Sequence, residues 1–78
     1  MNYIHANNRE ETVTIIQDLI DLVSDKINPG TTQVSYHNGF IFTIEPPADY
    51  SDKALKRYIK RLTRLRNGVK RSPKKYWS

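Results

Sequence analysis

Two proline breaks confine what this chain can become. Asn28-Pro29-Gly30 and Pro46-Pro47 each end the element before them, because proline has no amide proton to give and pushes the preceding residue out of the helical region. Between them lie two β-branched and aromatic runs, Thr32 to Tyr36 and Phe40 to Glu45, around His37-Asn38-Gly39, a hairpin signature. A two-residue Asn38-Gly39 loop sets Val34 and Tyr36 on the opposite face from Phe40, Phe42 and Ile44. A three-residue loop with Gly39 left-handed, a type I turn with a G1 bulge, pairs Tyr36 with Phe40, Val34 with Phe42 and Thr32 with Ile44. All five apolar side chains then share one face, so the bulged loop is the expectation.

Amphipathic helices are expected on both sides of this hairpin. Asn8 is placed to accept from first-turn amides, with Glu11 at the capping-box position. Ile16, Leu19, Ile20, Val23 and Ile27 then recur at steps of three and four, widened by Ile15 and Leu22, which predicts a first helix over about residues 9 to 27. Tyr3-Ile4, just before it, is expected to pack as a staple on the core. After Pro47, either Ser51 or Asp49 caps a second helix whose buried stripe is Leu55, Tyr58, Ile59, Leu62 and Leu65. Asn67-Gly68 is its expected end, since glycine tolerates the left-handed conformation that closes many helices.

An isolated hairpin is marginal in water and must spread its apolar face across both helices. The predicted fold is therefore α+β: a single two-layer αββα domain over residues 1–68, followed by a disordered basic and aromatic tail over 69–78. At 78 residues without cysteine, it has no disulfide framework and no thiolate chemistry, so packing alone must hold it. No apolar run reaches the roughly 18 residues of a membrane span, and Met1–Asn8 lacks the pattern of a signal peptide. A soluble, cytoplasmic protein with no membrane partner is expected.

Charge is divided between the halves. Met1–Asp52 holds two basic residues, Arg9 and Lys26, against all eight acidic ones, a net −6; Lys53–Ser78 holds the other eleven Lys and Arg and no acid. Lys53, Lys56, Arg57, Lys60, Arg61 and Arg64 cover the second helix, where a surface selected only for solubility mixes both signs. An acidic partner is expected there: phosphate backbone, or an acidic protein surface such as the first helix of a neighbouring copy.

Catalysis has little support. His5 and His37, the only histidines, have no second ligand at metal-binding spacing. There is no glycine-rich phosphate loop and no nucleophile elbow. Asp18, Asp21 and Asp25 share one helical face at cation-site spacing, a pattern far more common as solvated surface. A domain of this size leaves little room for a substrate pocket of about 300 Å³ or more. A non-enzyme without metal or cofactor is expected. In the tail, Lys70, Arg71, Lys74, Lys75, Tyr76 and Trp77 join the candidate binding residues, because Trp and Tyr dominate binding hot spots and stack on bases.

Helix, Asx-Gly hairpin, helix and a basic, aromatic-ended tail is also the plan of the head-to-tail joining proteins of tailed phages, the lambda gpW type. From about Asn38 to Ser78, Asn38-Gly39 resembles that family's hairpin turn, and Phe40-Ile41-Phe42-Thr43 its second strand. Leu55-Lys56-Arg57-Tyr58-Ile59 is similar to its second helix, and Val69–Ser78 to its C-terminal segment. Met1–Asn7 and the longer, more acidic first helix depart from the pattern. The resemblance implies a structural virion protein made in the infected host's cytoplasm, a monomer in solution and a ring on assembly. It would join the portal to tail-side connector proteins and help retain packaged DNA. On it, Lys70, Arg71, Lys74, Lys75, Tyr76 and Trp77 would order on the portal or the channel DNA.

Overall fold

The structure, a computed structural model, describes residues 2–36 and 41–73. It is a small α+β fold of five elements: β1 (Asn2–Ala6), α1 (Arg9–Ser24), β2 (Thr32–Tyr36), β3 (Ile41–Ile44) and α2 (Asp52–Arg71). The sheet order is β1-β2-β3, with β1 parallel and β3 antiparallel to β2.

The first strand corrects the two-stranded expectation. Tyr3 and Ile4 belong to β1, and Tyr3 is 73% exposed rather than stapled to the core. Asn2 pairs with Thr32 and Ala6 with Tyr36, so the Asn28-Pro29-Gly30 segment returns the chain beside its own beginning. Asn2 holds that return, its amide donating to Thr31 O (2.8 Å) and its side chain to Pro29 O (2.7 Å). Gly30 takes φ +72° there, a left-handed conformation that a side chain would strain.

The hairpin register is the expected one: Val34 pairs with Phe42 and Thr32 with Ile44. The turn His37-Asn38-Gly39, its bulge and the Tyr36–Phe40 pair lie outside the described residues. Thr32, Val34, Tyr36 and Ile44 are buried on the helix side, with Phe42 half-buried among them. The rings of Tyr36 and Phe42 meet at 5.7 Å and 44°, a tilted arrangement that aromatic pairs favour. Paired positions share a face, so Tyr3, Gln33, Thr43, His5, Ser35 and Ile41 form the other side, where Tyr3 and Ile41 are exposed.

In α1, Asn8 is the cap, accepting from the Glu11 amide at 2.8 Å. Glu11 reaches one residue further back than a capping box, accepting from the Asn7 amide at 2.8 Å. The helix ends at Ser24 rather than 27, because Lys26 turns left-handed at φ 59°. Its amide donates to Val23 O and that of Ile27 to Leu22 O, the two bonds of a Schellman close. Ile27 is consequently 49% exposed instead of continuing the stripe.

In α2, Ser51 is the N-cap, its hydroxyl accepting from the Ala54 amide at 3.3 Å. Asp49 braces Ser51, accepting from its amide (2.9 Å) and hydroxyl (2.7 Å); these bonds lower the Asp49 pKa. The helix passes through Asn67-Gly68 and ends at Arg71, so residues 69–71 are helix rather than tail. Val69 falls seven residues after Leu62 and fourteen after Leu55, and all three are buried. Burying such a side chain contributes about 1.5–3 kcal/mol, which outweighs the roughly 1 kcal/mol that a mid-helix glycine costs. Leu65, expected inside, is 40% exposed.

The helices run antiparallel. Arg9 Nη1 donates to Ser72 O at 2.7 Å, Arg66 Nη1 donates to Gln17 Oε1, and Lys26 Nζ lies 3.9 Å from Asp52 Oδ1. The main core joins Ile16, Leu19 and Ile20 of α1, Ile44 of β3, and Leu62 and Val69 of α2. A smaller cluster joins Ala6, Val34 and Tyr36.

Candidate functional site

The Leu55, Leu62, Val69 seam fixes how α2 faces the core, and with it where every cation of that helix points. At 100° per residue, Lys53, Arg57, Lys60, Arg64 and Arg71 fall in a strip opposite the seam. All five are exposed. From Lys53 to Arg71 the strip is about 27 Å long at 1.5 Å per residue. Exposed Lys56 flanks it on the side turned toward α1, and exposed Arg61 on the side turned toward the loop after β3. Among the described residues, none of these seven cations lies within 4 Å of a carboxylate.

Lys70 stands apart from this strip. It lies beside α1 in a groove with Arg9, Glu10, Val13 and Thr14. Lys74, Lys75, Tyr76 and Trp77 lie outside the described residues. Arg66, not among the candidates, faces α1 and is engaged: it donates to Gln17, whose amide donates to Asp21 Oδ1 at 2.9 Å, and to Asn67 Oδ1 at 3.1 and 3.3 Å. The helical phase of Arg66, one residue from Leu65 and four from Leu62, is the signal that separates it from the ridge.

On α1 the pattern has the opposite sign. Glu11, Asp18, Asp21 and Asp25 are exposed and fall opposite the buried Ile16 and Val23. The solvent faces of two adjacent antiparallel helices are thus acidic on one and basic on the other.

Beside the basic ridge, an open groove of about 650 Å³ runs between α2 and residues 43–48, lined by Ile44, Pro46, Pro47, Tyr58, Arg61 and Leu65 among others. The Tyr58 hydroxyl donates to Glu45 O. Burial raises the Tyr58 pKa, helped by Tyr50 and opposed by the Arg61 guanidinium. Burial also raises that of Tyr36, opposed by the Thr12 hydroxyl.

Among the described residues, no group of three His, Cys, Asp or Glu side chains is placed to hold a metal ion. That includes Asp18, Asp21 and Asp25. No helix of the described residues is long and apolar enough to cross a membrane. In comparisons with known proteins, the chain matches no family model, no curated protein and no solved structure.

Proposed function

We propose that this chain is a binding protein without catalytic activity that engages nucleic acid through the basic ridge of α2. One observation carries the reading: five exposed cations in a line opposite the buried seam, with no carboxylate in ion-pair reach among the described residues. Like charges at this density repel one another and weaken the free fold. A row of phosphates relieves that repulsion and releases its own condensed counterions.

The test is the salt dependence of binding to generic duplex DNA. Five phosphate contacts give a log-log slope of about −4 to −5, since each contributes about −0.9. Replacing Lys53, Arg57, Lys60 and Arg64 together with Gln lowers affinity by on the order of a hundredfold or more and flattens the slope to about −1 to −2. Binding that is absent at low salt, or indifferent to salt, contradicts the reading.

A second reading, the virion connector between portal and tail, is favoured by a different observation. Two antiparallel helices flank a hairpin, the order of elements in that family's plan, although β1 lies outside the plan. On this reading the ridge faces packaged DNA or an acidic portal surface, while Lys74, Lys75, Tyr76 and Trp77 dock on the portal. A chain ending at Pro73 keeps Val69 and the Arg9–Ser72 bond and is the appropriate truncation. It is expected to fold and to leave heads unjoined to tails; normal virion yield from it contradicts the connector.

A further inference from the structure

Resting on the nucleic-acid reading, the geometry points to a double helix held through its sugar–phosphate backbone, lying along α2 on the side of the 45–48 loop and kept off α1. Three features of the ridge select this partner. First, its side chains are all long cations, which supply most contacts to phosphate oxygens, although arginine also pairs with guanine edges. The short polar side chain best suited to adenine on this helix, Asn67, has its oxygen occupied by Arg66.

Second, among the described residues the ridge has no aromatic platform. Unpaired strands are gripped by rings that stack on bases beside the cations. The ring of Tyr58 is instead packed against the main core, with its hydroxyl bound to Glu45 O. Exposed Tyr3 sits on the far face of the sheet, across the domain from the ridge.

Third, the acidic face of α1 decides which side of α2 is usable. Packed helices sit about 8–10 Å apart, and the Debye length at physiological salt is about 8 Å. Phosphates over the α1 side of the ridge, about one Debye length away, therefore feel a repulsion from Asp18, Asp21 and Asp25 that salt weakens but does not remove. On the other side they meet Arg61, which lines one groove with Glu45 and an adjoining one with Asp49 and Arg57. The two flanking cations are thus unequal, Arg61 inside the footprint and Lys56 at its repelled edge.

The experiment measures anisotropy of labelled 20-base-pair duplex DNA, the same duplex as RNA, and oligo-dT of equal length. It uses the full chain and the equal-charge variants Arg61→Gln and Lys56→Gln. At least one duplex is expected to bind tenfold or more tighter than oligo-dT, and two unrelated duplex sequences to agree within about threefold. Which duplex binds tighter separates B-form from A-form backbone as the source. Arg61→Gln is expected to weaken duplex binding fivefold or more, and Lys56→Gln less than twofold. Oligo-dT binding as tightly as duplex, a tenfold sequence preference, or equal effects of the two variants overturns this inference while leaving nucleic-acid binding intact. No binding of any of the three at low salt overturns both.

Discussion

Helices α1 and α2 share one core yet divide their surfaces differently. α1 buries Thr12, Ile16, Leu19, Ile20 and Val23 within sixteen residues, whereas α2 buries only Leu55, Leu62 and Val69 within twenty. α1 is held along a broad face and α2 along a narrow seam, so most of the circumference of α2 is free to carry charge. The lesson is a division of labour: α1 and the sheet supply the stability that lets α2 tolerate an uncompensated row of cations.

The sharpest way to break that division is to remove its support. Ile16 is fully buried in the core shared by both helices, and Ile16→Ala is expected to cost about 2–5 kcal/mol. Because a domain of this kind has about 5–15 kcal/mol in all, urea titration is expected to show most of a weak transition gone. A loss under 1 kcal/mol contradicts the assignment of the core to α1.

Gly68→Ala asks whether α2 truly continues to Arg71. A Cβ at Gly68 meets nothing within 4 Å, and its φ is not in the left-handed region. Alanine there is expected to raise stability by about 1 kcal/mol, read as a higher urea midpoint. If Gly68 closed the helix in a left-handed cap, the same change would lower it. Lys26→Gly is the counterpart on α1. Lys26 holds φ 59° at the Schellman close, and glycine is expected to add about 0.5–1 kcal/mol.

The smallest effect concerns pH. Burial raises the Tyr36 and Tyr58 pKa values in the folded chain. Above about pH 10 the unfolded chain then loses these protons first, so stability present at lower pH declines as pH rises toward the folded values. Thermal melts from pH 8 to 11 are expected to show this decline, and Tyr36→Phe to reduce its slope.

Much of the fold was legible locally. The Asn8 and Ser51 caps and the hairpin register follow from short-range chemistry: a side-chain oxygen before an apolar stripe, and the need to gather Val34, Tyr36, Phe42 and Ile44 on one face. β1 was not legible, because parallel pairing joins Asn2 to Thr32 across thirty positions and leaves no turn signal to read. Its outward side chains, Tyr3 and His5, carry no burial pattern either. The last turns of α2 were obscured by Gly68, whose local preference for a stop is overridden by the burial of Val69. The candidate ridge was legible as composition; its line, and the separation of Lys70 and Arg66 from it, depended on knowing which residues form the seam.

The most direct test of the central claim maps where nucleic acid touches the folded chain, by amide chemical-shift perturbation during titration with a short duplex at moderate salt. The account predicts shifts along Lys53, Arg57, Lys60, Arg61, Arg64 and Arg71, with α1 and the open sheet face quiet. Shifts centred on Tyr3, His5 and Ile41, or none at saturating duplex, would contradict it.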